Sequence, residues 1–342
     1  MNFYGDVNLP YLNATESVFH DGMKDDINVF NFESTIVSDS DKAVTDGIAL
    51  RSNFESVGHF YKLGFSVACL ANNHITDYDD SVIKTREELT RFGFKCYGAG
   101  RDLKEALDFL KINKDGDEYY LISAGWDVIG CKYAGKDNPG VNPLSPELLK
   151  SQIKKIRSMD ANAIIYCSFH YNYEFELYPQ PADRLLFHEL IDLGVDCIIG
   201  HHSHLIGPYE LYNGKYIFYS LGNFYMPKIV SRGYELIYPD IAYKGIVVNL
   251  SESIPIIYSY ISSEDKILHT NTNYLHDSDL VNLSDLVGKQ DYYTWFKKNR
   301  IKNKLLPIFI NYDDKLDTGF KTLLVKIRNY LINKAVRVGL KK

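Results

Sequence analysis

The feature that most constrains this chain is an alternation of short apolar runs with amphipathic helices. Residues 65–71 (FSVACLA) are apolar almost without a break, the pattern of a strand buried on both faces. Residues 2–5, ending at Asp6, and 27–32, ending near Glu33, read as further strands. So do 118–124, 161–169, 195–199, 216–219, 245–250 and 254–262. Between them, 81–92 reads as a helix with Val82, Leu89 and Phe92 at helical spacing, and 102–110 as another. Ser145-Pro146-Glu147 opens a helix running to about 158, with Ser145 as N-cap and Pro at the first position, and 181–193 forms one closed by Gly194.

This alternation predicts an α/β class with a sheet covered on both faces. The late run of strands without helices predicts a second sheet that completes a sandwich. From 268 to 291 the pattern loosens into Asn, Ser and Asp and reads as a connector. The expected organisation is a main domain over 1–265, a connector over 266–296 and a basic helical tail over 297–342.

A chain of 342 residues at 45% hydrophobic composition can bury one large core. Its charge is unevenly spread. Residues 297–342 hold 13 basic against 3 acidic side chains, a balance of +10 that leaves −16 for the rest of a chain whose total is −6. A body of that charge repels nucleic acid, so no nucleic-acid partner is expected. The five cysteines include no CxxC pair; Cys69, Cys167 and Cys197 lie in apolar runs and read as core thiols in a reducing compartment. The first residues lack a basic stretch followed by an apolar core, and no apolar run approaches the ~20 residues that span a bilayer. The expectation is a cytoplasmic protein, with the reservation that an anchor upstream of this start would not be seen.

Five segments each place a candidate metal ligand at the C-terminal end of an expected strand, the edge where open α/β sheets build sites. They are Gly5-Asp6, Asn31-Phe32-Glu33, Asn72-Asn73-His74, Phe169-His170 and Gly200-His201-His202-Ser203-His204. Singly, Asp6 or Glu33 is an ordinary turn residue and His170 an ordinary core histidine. Three imidazoles within four residues are harder to explain by packing. Together the five ends give a mixed oxygen and nitrogen set suited to two divalent ions sharing a carboxylate, which can clamp both oxygens of a phosphoryl displacement.

In order and wording, GDVNL, NFEST, LGFSVACLANNHITDY, FGFKCYGAG, FHYNYEFELYP, DLGVDCIIGHHSHLIGP and YIFYSLGNF resemble the bacterial CapA or poly-γ-glutamate capsule family, a branch of the calcineurin-like metallophosphoesterases. The resemblance covers about residues 2–250. It implies a four-layer α/β/β/α sandwich. It makes Asp6 the first metal-binding aspartate, Glu33 the carboxylate bridging both ions and Asn73 the amide ligand of the second ion. His74 is then the histidine that faces substrate and donates to the leaving oxygen, and His170 the ligand of the fourth motif. His202 and His204 are the paired histidines, the first nearer the second ion and the second nearer the first. His201 is implied to be a neighbour, Glu174 a catalytic-site glutamate four residues after the motif histidine, and Asn223 a residue shaping the edge.

Two positions depart from the family pattern. Asn8 stands where a second first-motif ligand is usual, and Tyr171-Asn172 stands where Trp-Gly is usual. The implied cofactors are two divalent ions, Mn²⁺, Fe or Zn²⁺, with the thiolate-free set leaning toward Mn²⁺. The implied function is a metal-dependent hydrolase of phosphoester or phosphodiester bonds in capsule or exopolysaccharide (poly-γ-glutamate-like) biosynthesis. Its partners would be a phosphorylated or polymeric substrate and membrane-bound capsule synthesis proteins. The alternative is a non-catalytic accessory protein of polymer synthesis or export; a third option is a transferase or amide-bond hydrolase acting on the polymer.

In the tail, Phe320, Leu323, Leu324, Ile327 and Leu331 fall at helical spacing among Lys321, Lys326, Arg328, Lys334 and Arg337. Such a helix either packs its apolar side on the domain with its charges in water, or makes a peripheral contact with an anionic membrane at its inner face.

Overall fold

The computed structural model describes all residues except 13–16, 46, 232–233, 264–265, 290, 301–305, 313–314 and 338–342, and leaves aside the side chains of 231, 234, 315–318, 329 and 332–337. The fold is mixed α/β, with two large sheets among the described residues. In the first, Asn2–Val7, Asn28–Phe32, Phe65–Cys69 and Lys95–Tyr97 run parallel in that order. On the other side of Asn2–Val7 the sheet continues antiparallel through Lys244–Asn249, Ile256–Ser262 and Ile267–Thr272. The second sheet has a parallel centre of Asp117–Gly125, Ile164–His170, Cys197–His201 and Lys215–Phe218. Leu110–Lys114 and Tyr209–Tyr212 are its antiparallel edges.

Apolar burial explains how these parts are held. One cluster joins Phe3, Val29, Val67 and Cys69 of the first sheet to Leu121, Tyr166, Ile199 and Phe218 of the second. A second cluster packs Val57 and Phe60 of the helix Phe54–Lys62, with Val82 and Leu89 of Ser81–Phe92, on Phe30, Phe65 and Ala68. A third packs Leu149, Ile153 and Ile156 of Pro146–Met159, with Leu186 and Leu190 of Pro181–Asp192, on Ile122, Ile165 and Cys167. Each fully buried Leu, Ile, Val or Phe contributes roughly 1.5–3 kcal/mol.

Four expectations are corrected. The late strands divide between the sheets: Lys215–Phe218 joins the second, but Lys244–Asn249 and Ile256–Ser262 extend the first, because Lys244–Asn249 pairs directly with Asn2–Val7. The stretch read as a connector carries the edge strand Ile267–Thr272 and the helices Ser278–Val287 and Tyr292–Asn299, anchored by buried Leu280, Tyr292 and Phe296. The helix expected over 102–110 is only Leu103–Ala106, capped by the Asp102 carboxylate at 2.8 Å from the Glu105 amide. Leu110–Lys114 is instead a strand, as its period-two alternation allows with Ile112 turned inward. Ser145 makes no side-chain cap; the helix starts on the fixed φ of Pro146. All five cysteines are free thiols.

A half-buried polar cluster ties the helix Pro181–Asp192 to the edge of the second sheet. Glu210 accepts from Arg184 Nε at 3.1 Å and Tyr219 Oη at 2.6 Å, and lies 3.0 Å from His188 Nε2. Burial alone would raise its pKa, but the bonds from His188, Arg184 and Tyr219 bring it down to about 2. A depressed carboxylate adds stability above its unfolded pKa of about 4.5 and loses it as pH falls toward 2. Glu210→Gln is therefore expected to be less stable than wild type by about 1–3 kcal/mol at pH 7. The gap should close between pH 4.5 and 2, as read by denaturant unfolding at each pH.

Candidate metal centre

The parallel strands of both sheets end at one edge, and their register brings the polar strand ends together. Asp6 is paired with Asn31 on one side and Asn223 on the other. In the second sheet His201 is paired with His170. The two glycines that begin the Gly-Asp and Gly-His-His segments are required by close approach. A Cβ on Gly5 would lie 2.0 Å from the carbonyl oxygen of Gly222, and one on Gly200 would lie 2.0 Å from that of Tyr219. Past Gly200 the chain turns sharply, with His202 at φ 86 and His204 at φ 59, left-handed backbone that non-glycine residues adopt at a cost of order 1–3 kcal/mol.

Asp6 and Glu33 are both fully buried. Asp6 accepts from the Asn31 amide at 2.7 Å and from the backbone N–H of His202 at 3.2 Å. His201 Nδ1 lies 3.2 Å and His204 Nδ1 3.4 Å from its two oxygens. Burial raises the Asp6 pKa, but these imidazoles more than offset that and hold it well below the usual carboxylate range. Glu33 is different. Neither of its oxygens has a hydrogen-bond partner among the described residues. Nε2 of His170, His204 and His74 stand 3.5, 3.9 and 4.0 Å from its Oε1, short of hydrogen-bonding geometry. Burial, then the charge of Asp6, pushes the Glu33 pKa up to about 8.

This orphaned carboxylate is the test of fit for metal ions, and the donor set passes it. Ligand atoms of Glu33, His170 and His202 all lie within 4.8 Å of one another, and so do those of Asp6, Glu33 and His204. Glu33 belongs to both groups, as a bridging carboxylate must. Burial holds His170 and His202 well below the usual imidazole pKa, leaving them neutral, the form that ligates. Burial would lower His204 too, but Glu33 and Asp6 push it up to about 10, so a proton stands where positive charge is demanded. Asn223 accepts from His204 Nδ1 at 2.8 Å, which leaves Nε2 turned toward Glu33. Asn73 places Oδ1 2.7 Å from Nε2 of His170, beside the first group.

The other expected residues fall around this cluster. His201 faces Asp6 and stands outside both groups. The Asn8 oxygen accepts from the hydroxyls of Ser34 at 2.7 Å and Ser52 at 3.2 Å, so it is already taken up by these hydroxyls. His74 and Glu174 line a cavity of about 700 Å³ together with Asn73, His202 and Tyr238.

Four residues here were not assigned from the sequence. Asp77 Oδ2 sits 2.6 Å from His74 Nδ1; against the effect of burial, Asp77 raises the His74 pKa above the usual imidazole value. The signal was present as His-x-x-Asp on one helical turn. Asn31, two residues before Glu33 and so on its side of the strand end, lies 2.7 Å from Asp6 and 3.1 Å from His170 Nδ1, linking the two sheets. Tyr238 and Arg328 come from distant segments that no local pattern connects with the site.

Because Glu33 and His204 must give up protons to accept cations, Mn²⁺ or Zn²⁺ uptake should release protons and tighten as pH rises from 6 to 8. Calorimetric titration is expected to show at least about a tenfold gain over that range, and Glu33→Gln should bind far more weakly with a flatter pH response.

The model of the family described as bacterial capsule synthesis protein PGA_cap matches residues 8–228. The PGA biosynthesis protein CapA of Bacillus subtilis (strain 168) is 34% identical over 197 residues, which are 57% of this chain and 51% of that protein. The capsule biosynthesis protein CapA of Bacillus anthracis is 30% identical over 200 residues, 57% of this chain and 49% of that protein. The chain thus spans about half the length of the curated relatives it matches. Among solved structures, a hypothetical protein from Thermus thermophilus aligns over 79% of this chain and 99% of its own at 11% identity and a TM-score of 0.44, a likeness that carries no chemistry. With well over half of its length matched by the family model, the chain belongs to the bacterial capsule synthesis protein PGA_cap family.

Proposed function

We propose that this chain is a divalent-metal-dependent hydrolase of phosphoester or phosphodiester bonds that acts in the synthesis of a capsular, poly-γ-glutamate-like polymer. The observation that carries the proposal is Glu33, a buried carboxylate that has no hydrogen bond among the described residues and belongs to two sets of candidate ligand atoms. Asp6, Glu33 and His204 would hold one ion, and Glu33, His170, His202 and Asn73 the other. Bound there, the ions would supply positive charge to phosphoryl oxygens and activate water. Three separate apolar clusters, one between the sheets and one under each helix pair, support assignment of the fold to the four-layer calcineurin-like sandwich.

The chain's own residues supply the rest. His74, held by Asp77, which raises its pKa, faces the cavity and would donate a proton to the departing oxygen. Arg328 and Glu174 line the same cavity, where a guanidinium favours an anionic substrate and the carboxylate orients its polar groups. Substrate and partners are a phosphorylated or polymeric ligand and the membrane-bound proteins of polymer synthesis. One observation favours the alternative of a non-catalytic accessory protein: the Asn8 oxygen is withdrawn onto Ser34 and Ser52, which would leave an ion held by Asp6, Glu33 and His204 with fewer ligands.

Elemental analysis and a phosphoester panel separate the two. Wild type is expected to carry close to two ions and hydrolyse a panel member; His202→Ala/His204→Ala should lose both properties. Stoichiometric metal with no hydrolysis across the panel would favour the accessory role. Asp77→Asn should keep its metal, lose about 10²-fold in kcat and shift the alkaline limb of the pH profile downward, since His74 loses the carboxylate that raises its pKa.

A further inference from the structure

The helix Lys315–Arg337 presents its two sides in an unexpected way. Val325 is buried, Lys321, Thr322 and Arg328 are half-buried, and Val325 and Arg328 line the cavity of the metal centre. The opposite side carries Phe320, Leu323, Leu324, Ile327, Tyr330 and Leu331, each between 41% and 66% exposed. The apolar stripe seen in the sequence therefore faces away from the domain, and the mixed polar side faces inward. Packing the stripe on the domain, one of the two alternatives open from the sequence, is excluded. The side chains of Lys334 and Arg337 lie outside the described residues.

We propose that this stripe docks the chain on an anionic lipid bilayer, with the helix lying in the interface between the bilayer and the metal cavity. Three observations fix the occupant. From Gly319 to Lys342 the sequence has seven Lys and Arg and no Asp or Glu, although the chain as a whole is −6; Lys326 is exposed beside the stripe while Lys321 and Arg328 are half-buried on the inward side, and the net positive charge of the segment complements anionic headgroups. Phe320 and Tyr330 are aromatics of the kind that settle at headgroup depth, and the leucines and Ile327 supply apolar area for shallow insertion. Ile237, 58% exposed, lines the same cavity as Arg328 and adds an apolar contact beside the helix. No helix among the described residues is long and apolar enough to cross a membrane, so contact is made by lying on it.

The test is co-sedimentation of the 342-residue chain with vesicles of pure phosphatidylcholine or of phosphatidylcholine with phosphatidylglycerol, at low and high salt. It compares wild type with Leu324→Gln/Ile327→Gln/Leu331→Gln. These positions are exposed, so the variant should keep its circular dichroism and melting temperature. Wild type is expected to bind the anionic vesicles about tenfold more tightly than neutral ones, to lose binding in high salt, and to lose it in the variant. A folded wild type that ignores anionic vesicles, or a variant that binds as well as wild type, overturns the proposal. So does light scattering that shows a wild-type dimer and a monomeric variant with no vesicle binding, which would make the stripe a face for a second copy. None of these readouts involves metal, so the proposal stands or falls apart from the hydrolase reading.

Discussion

Two carboxylates, Asp6 and Glu33, are buried in one cluster, and taking each from water costs several kcal/mol unless positive charge meets it. Much of the surrounding structure is arranged around that demand. His201, His204 and the Asn31 amide surround Asp6, and a proton on His204 answers part of the charge. Among the described residues Glu33 itself has no hydrogen bond, and its pKa is pushed up to about 8. Protons are a poor solution for a buried pair, and dications shared through Glu33 are the better one. The left-handed turns at His202 and His204, and the two glycines that admit close backbone contacts, are the strain and sequence cost of holding six donors at that place.

The cluster of candidate ligands was legible because each member follows a strand, and strand ends of a parallel sheet converge whatever lies between them. Asp6, Glu33, His170, His202 and His204 could be named from that rule and from family wording. Their supports were less visible. Asp77 was within the quoted LANNHITDY segment, yet only the helical turn after Asn73 aims it at His74. Asn31 became a link between sheets only once the register placed it opposite Asp6 and His170 beside it. Arg328 and Tyr238 reach the cavity through packing of segments far apart in sequence, which no periodicity reports.

Sheet membership was the weaker part of the sequence reading for a related reason. Alternation gives strands but not partners. The strand Lys244–Asn249 pairs with Asn2–Val7 because both present apolar residues to the same interior, Val248 and Ile246 beside Phe3. The Asn- and Ser-rich stretch after it folds because a few buried anchors, Leu280 and Phe296 among them, suffice when the neighbouring surface is already formed. In the tail the hydrophobic period correctly gave a helix but could not tell which side meets the domain.

The central claim is that Glu33 bridges two cations. Its most direct test is anomalous diffraction from crystals of the chain grown with Mn²⁺. Two peaks about 3.5–4 Å apart, one on each side of Glu33 and flanked by His204 and by His170 with His202, are the predicted result. A single peak away from Glu33, or a well-ordered Glu33 with no peak near it at saturating Mn²⁺ and pH 8, would contradict it.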